Sequence, residues 1–297
     1  MEILLVMVLA HLIGDYLLQW RKLAEDKDRG DTVALILHAL LYALAMNVVF
    51  RCVPWNRALS TWAILSVSHG IIDFVRVRAD KKWTSPRAKL ISYCVDQLLH
   101  LGLIVLCWRL FLRGQRTEIF VWISVQPWFR PALCYGLLLG VIWQPTAILV
   151  RKVLALLPPP KEEAEAPKEE TKEAPAAAPA EPNAVPAASE AAPEEASAAP
   201  EQTAPAAEEE KAGPAAEAKP EEADFRSGEL IGKLERVIVA ALVLAGAAST
   251  IGFVLTAKSV ARFKQMDDRN FAERYLVGTL LSVCVALGAA LIAKAFL

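Results

Sequence analysis

The sequence predicts an all-α membrane protein: a polytopic helix bundle of about five N-terminal passes, a disordered Ala/Pro/Glu linker and a C-terminal two-helix membrane hairpin. Three observations predict it. Apolar residues make up 55% of the 297 residues and the mean hydropathy is +0.35, high for a soluble chain. Apolar runs about 20 residues long, enough to cross a bilayer, recur along the chain. Charge is segregated: residues 158–224 hold 18 acidic residues and 5 lysines, a local net of −13 against −1 overall, which leaves about +12 elsewhere.

The N-terminal stretch MEILLVMVLAHLIGDYLLQW has Glu2 where a signal peptide has basic residues, and no small-residue cleavage site follows. It reads as a retained first helix over 1–20. Further spans are expected near 32–50, 58–77, 89–112 and 131–150, then 237–257 and 275–297. The tract TEIFVWISVQPWF at 117–129 is too short to cross, and its aromatic residues suit the membrane interface. The domains expected are a helical membrane domain over 1–156, a linker over 157–224 and a membrane module over 225–297. The linker carries 13 of the 18 prolines, with alanine and glutamate making up most of the rest. It has too little apolar surface to fold, and its prolines favour an extended spacer. Beyond it, Ser227 is a helix-cap candidate, and Leu230, Ile231, Leu234, Val237 and Ile238 share one face, with Glu229 and Lys233 paired at i,i+4. Gly278, Ser282, Ala286 and Ala290 form a small-residue ridge that Ala241, Ala245 and Ser249 are expected to meet, within the chain or in a homo-oligomer. The cysteines Cys52, Cys94, Cys107, Cys134 and Cys284 show no CxxC spacing and read as inert thiols.

The chemistry lies in the histidines. There are only four, His11, His38, His69 and His100, and all fall within predicted spans. Three have an aspartate four residues away: His11 with Asp15, His69 with Asp73, and His100 with Asp96. With ten aspartates in the chain, one such neighbour is about a 7% event, and three of four is on the order of 0.1% by chance. Each pair shares a helix face. His11, Asp15 and His38 lie near the loop RKLAEDKDRG, and His69, Asp73, Asp96 and His100 near the loop RVRADKKWTSPRAK. In an up-down bundle those loops emerge on one side, which places all seven groups in one leaflet, roughly 5–16 Å deep at 1.5 Å per residue. Ionisable groups there face a bundle interior or a wet cavity. Imidazole with carboxylate suits zinc, manganese or iron, either as two metals or as one metal with aspartates orienting its ligands. His11, Asp15, His38, His69, Asp73, Asp96 and His100 are thus metal-ligand candidates, and Asp15, Asp73 and Asp96 are candidate catalytic carboxylates. Gln19 and Gln97 are able to complete the polar layer, and each His–Asp pair is also readable as a helix clasp.

Loops one and three carry most of the lysine and arginine of the first four passes, which places them, the His/Asp layer and the linker in the cytoplasm. The equally basic turn AKSVARFKQMDDRNFAER then falls outside, against that rule.

HLIGDYLLQ, the lone His38, SHGIIDFVR and DQLLH, in that order, resemble the bacterial membrane family known as domain of unknown function 3307, over about residues 1–110. The resemblance implies a bacterial inner-membrane protein and marks the same seven positions, but it implies no activity. GELIGKLERVIVAALVLAGAASTIGFVLTAKSVARF with AERYLVGTLLS is similar to a module often found after that domain, in which a glutamine stands where this chain has Ala247. The HxxxD style is loosely similar to that of predicted membrane-bound metal-dependent hydrolases. Three functions follow: a metal-dependent hydrolase of a lipid-linked ester or phosphoester, a structural or regulatory membrane protein, and a proton or ion transporter. No P-loop, GxGxxG or GxSxG occurs, and no basic motif with interleaved aromatics suits nucleic acid. The expected partners are the lipid bilayer and a membrane protein or second copy on the small-residue ridges.

Overall fold

The computed structural model describes residues 1–158 and 220–297, with the side chains of 220–227 left aside; the disordered linker expected over 157–224 lies, apart from its ends, outside the described residues. The described residues are helical and contain no strand. The helices are α1 (Glu2–Leu12), α2 (Arg21–Arg29), α3 (Thr32–Met46), α4 (Val49–Cys52), α5 (Trp55–Lys82), α6 (Pro86–Cys107), α7 (Glu118–Ser124), α8 (Phe129–Leu154), α9 (Pro220–Leu244), α10 (Ile251–Ala261) and α11 (Arg269–Phe296). Five stretches are long and apolar enough to cross a membrane: 32–52, 55–82, 86–112, 129–154 and 269–296. This is a multi-pass membrane protein by the length and composition of its helices. Many of its large apolar side chains, such as Val33, Leu98 and Phe253, are exposed, as a lipid-facing surface requires.

The first span departs from the sequence expectation. α1 runs into a π turn at Ile13–Leu17, and the chain then bends by 84° into α2. Residues 21–29, expected as a loop, are an amphipathic helix. Arg21 pairs with Glu25 at i,i+4, and Gly30, at φ 81°, ends the helix in the left-handed region. Leu23 and Lys27, four residues apart, are its buried face. Asp31 caps α3 by accepting from the Ala34 N–H at 2.8 Å, and Ser85 caps α6. The tract at 117–129 forms the short α7, capped by Thr117, whose N–H also donates to the Cys52 carbonyl.

α8 joins the two halves of the molecule. Gly136 and Gly140 lie against Leu9 and Leu12 of α1, and its other side packs on α9 and α11 through Leu138 and Ile142. Pro145 leaves the Val141 carbonyl without its helical donor, and the Thr146 hydroxyl donates to that oxygen at 2.7 Å. The buried Arg236 of α9 donates to the Ile142 and Trp143 carbonyls and to Ser282 Oγ of α11.

The C-terminal region differs from the expected boundaries. α9 begins at Pro220, so Ser227 lies inside it rather than at its cap. Glu229 and Lys233 pair at 2.8 Å as expected. The predicted span 237–257 is interrupted: Gly246 adopts φ 77°, its N–H bonds to the Val243 carbonyl, and the Ala247 N–H bonds to the Leu242 carbonyl. That pair of bonds is a Schellman stop. α10 then returns along α9, and Lys258 meets Glu235 at 2.5 Å. The basic turn after it therefore lies beside the C-terminal end of α8, where Arg274 donates to the Leu154 and Leu157 carbonyls. The clash with the charge rule raised by the sequence is removed: the turn sits on the side of Arg151 and Lys152, not opposite them. The α11 ridge of Ser282, Ala286 and Ala290 is buried within the chain, but against Val239, Ala240 and Val243 of α9. Ala241, Ala245 and Ser249, expected to face it, are exposed.

Candidate metal centre

Each of the seven sequence-predicted residues reaches the same place, from four different helical segments. Asp15 sits in the π turn after α1. A Cβ on the preceding Gly14 would lie 3.1 Å from the Tyr42 Cα and the Ala45 Cβ, so the glycine lets α1 and α3 approach closely. His38 comes from the buried face of α3. His69 and Asp73 continue the buried stripe Ala58, Thr61, Leu65 on α5. Asp96 and His100 begin the stripe that ends at Ile104 and Cys107 on α6. All seven side chains are nearly inaccessible, between 0% and 6% exposed, so each must be satisfied by a neighbour.

The centre is His38. Its Nε2 lies 3.0 Å from His69 Nε2, 3.2 Å from Asp15 Oδ1 and 3.1 Å from Asp73 Oδ2. One ring nitrogen carries at most one proton, so it cannot donate to all three at once. His69 Nε2 is a further 3.8 Å from Asp73 Oδ2. Neighbouring ligands of a tetrahedral ion held at about 2.0–2.1 Å are themselves about 3.3 Å apart. The four separations, 3.0 to 3.8 Å, bracket that value. Asp15, His38, His69 and Asp73 thus form a donor set of the right kind and size for a divalent ion, and Asp73, Asp96 and His100 form a second set sharing Asp73. Both ring nitrogens of His100 and Asp96 Oδ1 are buried without a hydrogen-bond partner among the described residues. Orphaned lone pairs of this kind fit a metal centre better than a fully satisfied clasp.

His11 belongs to neither donor set. Its Nε2 lies 3.4 Å from Gln97 Oε1, and the Gln97 amide donates to Asp15 Oδ2 at 3.1 Å and Asp96 Oδ2 at 3.0 Å. Gln97 therefore ties the two sets together. Gln19, the other glutamine considered, accepts from Lys27 at 3.3 Å. Tyr42 stacks on His69, with ring centres 3.6 Å apart and planes 2° off parallel, fixing the imidazole.

The intrahelical pairing that flagged the site is not what holds it. His69 to Asp73 and His100 to Asp96 are both 3.8 Å, too long for hydrogen bonds. The short contacts run between helices. Two cations that sequence reading assigned to topological loops also belong here. Lys27 of α2, itself buried, donates to Asp73 Oδ2 at 2.9 Å. Arg76 lies 3.9 Å from Asp73 and 3.7 Å from Asp96, and it pairs with Asp28 at 3.1 Å. The legible signals were the i,i+4 spacing of Leu23 and Lys27, and Arg76 one turn after Asp73.

A cavity of about 750 Å³ opens above the layer. Asp15, Asp73 and Asp96 line it and the four histidines do not, so the imidazoles lie behind the carboxylates. Its other walls come from α2, α8 and α9, with Arg21, Arg151, Lys152 and Lys233. Carboxylates at the base of a polar cavity within a helix bundle are able to hold a metal and meet a substrate.

No curated protein and no solved structure matches the chain. Residues 3–129, which carry all seven residues of the layer, match the family described as Protein of unknown function (DUF3307).

Proposed function

We propose that the His/Asp layer binds a divalent metal and that the protein is a membrane-embedded, metal-dependent hydrolase of a lipid-linked ester or phosphoester. The convergence of two carboxylate oxygens and a second imidazole on His38 Nε2, at 3.0 to 3.2 Å, carries the reading. Asp15, His38, His69 and Asp73 hold the ion, which is zinc, manganese or iron by its nitrogen and oxygen ligands. Asp96 and His100 flank it through the shared Asp73. His11 acts through Gln97 as a positioning residue. Bound there, a divalent ion supplies Lewis-acid activation of the scissile group. Asp96 lines the cavity and has one oxygen without a hydrogen-bond partner among the described residues. The Asp96 carboxylate takes the proton of the attacking water and returns it to the leaving oxygen as the scissile bond breaks, with the Arg76 guanidinium 3.7 Å away to hold the carboxylate in place. The protein sits in the bacterial cytoplasmic membrane, with α2, the basic turns and the linker on the cytoplasmic side. The return of α10 supports this, because it puts Lys258 and Arg274 on the side of Arg151 and Lys152.

The test is elemental analysis of the full-length protein purified in detergent, beside His38→Ala and His69→Ala. Near-stoichiometric zinc, manganese or iron that both variants lose while remaining folded is expected. Metal-free, folded wild-type protein would overturn the proposal. A second reading, a structural clasp, draws on Lys27. Its ammonium already gives Asp73 a cation at 2.9 Å, as a metal-free network would require.

A further inference from the structure

We infer that the cavity above the layer is the headgroup site of a phosphate-bearing amphiphile, and that the segment after the linker supplies one of its walls. The inference rests on the hydrolase reading and narrows its substrate.

Arg151 and Lys152 of α8 and Lys233 of α9 project into the cavity opposite Asp15, Asp73 and Asp96. All three lie beyond residue 129, outside the part of the chain that matches the family. Lys152 has neither a hydrogen-bonded acceptor nor an ion pair among the described residues. Its ammonium hangs 5.7 Å from the centre of the Tyr93 ring, while the Lys233 ammonium, 5.5 Å from that of Trp143, is already paired with Glu229 at 2.8 Å. Lys152, half-buried and with no carboxylate in hydrogen-bonding contact, is poised for an anion.

The charge balance says when an anion is taken. The lining holds six acidic side chains (Asp15, Glu25, Asp28, Asp73, Asp96, Glu229) and six basic ones (Arg21, Lys27, Arg76, Arg151, Lys152, Lys233), so its formal charges cancel. One divalent ion on the aspartates makes it +2, which suits a phosphate monoester dianion. Anion binding is therefore coupled to metal binding.

The remaining wall is apolar. Leu17, Trp143, Ile148 and Leu230 line the same cavity. Leu17 and Leu230 are 58% and 52% exposed, at the end of the π turn after α1 and on α9. A phosphate on the cations with an alkyl chain leaving past Leu17 and Leu230 satisfies both walls. A free phosphate uses only one of them.

The test uses the full-length, metal-loaded protein in a neutral maltoside detergent. Binding is followed by tryptophan fluorescence, since Trp143 lines the site, and metal content is measured on the same samples. The probes are dioctanoyl phosphatidic acid, dioctanoylglycerol and inorganic phosphate. Phosphatidic acid is expected to bind at least tenfold more tightly than either of the others. Lys152→Met and Lys233→Met are each expected to lose about tenfold of that affinity, with metal content unchanged. Equal binding of dioctanoylglycerol, equal binding of inorganic phosphate, or full affinity in both lysine variants would overturn the inference. If metal is retained in that event, the hydrolase reading survives its failure. Absence of metal from the wild-type samples sinks the hydrolase reading and the inference together.

Discussion

Gly14→Ala adds a single methyl group, and the structure fixes where it goes. The new carbon would lie 3.1 Å from the Tyr42 Cα, from its ring and from the Ala45 Cβ. Two of those three atoms are backbone or Cβ and do not rotate away. α1 and α3 must therefore separate by a few tenths of an ångström, and Asp15, the next residue, moves with α1. Its 3.2 Å contact with His38 Nε2 lengthens accordingly. Overpacking of this kind costs about 1–3 kcal/mol. Disturbing the groups that orient a ligand lowers metal affinity by roughly 10–100-fold. Gly136→Ala is the control: its Cβ would meet only the end of the flexible Leu9 side chain, at 3.2 Å, on the far side of α1. The assay is chelator competition for the bound metal, with thermal unfolding in detergent measured in parallel. Gly14→Ala is expected to weaken metal binding at least tenfold, and Gly136→Ala less than threefold. Equal metal affinity in Gly14→Ala and wild type would refute the view that this helix contact sets the site's geometry.

Lys27→Met separates the metal reading from the clasp. Removing the partner of a buried carboxylate costs about 3–5 kcal/mol, so a clasp loses that stability under all conditions. A metal-bound Asp73 keeps a cation, and the variant should unfold early only after chelation; the same early unfolding with and without chelator would favour the clasp. Arg236→Lys keeps the buried charge but loses the planar fork that reaches the Ile142 and Trp143 carbonyls and Ser282. A loss of about 2 kcal/mol, read by thermal unfolding and by protease susceptibility of α9 and α11, is expected. For topology, Lys264→Cys and Lys89→Cys, each in a cysteine-free background, should react with a membrane-impermeant thiol reagent from the same side. Labelling from opposite sides would contradict the return at Gly246.

The seven residues of the layer were legible because hydrocarbon makes buried imidazole and carboxylate conspicuous, and the i,i+4 spacing of six of them put those on the right faces. The contacts themselves were not legible. Periodicity within a helix says which residues share a face, not that Asp15 would meet His38 of α3 rather than His11. Lys27 and Arg76 were hidden by a real regularity: cations cluster in cytoplasmic loops, so their number explained itself without their burial. The fold shows the same limit at Gly246. Gly246 lies inside an apolar run read as one span over 237–257, and only the backbone reveals φ 77° and the Schellman bonds that turn the chain. Arg236 is not legible because its partners, the Ile142 and Trp143 carbonyls and Ser282, lie on α8 and α11, far from it in sequence.

The most direct measurement of the central claim is X-ray absorption at the metal edge of the purified full-length protein. The expected spectrum shows nitrogen and oxygen neighbours only, with the multiple-scattering signature of two imidazoles, lost in His38→Ala. A sulfur ligand from any of the five cysteines, or no metal edge above background in folded protein, would contradict the assignment of Asp15, His38, His69 and Asp73 as a metal centre.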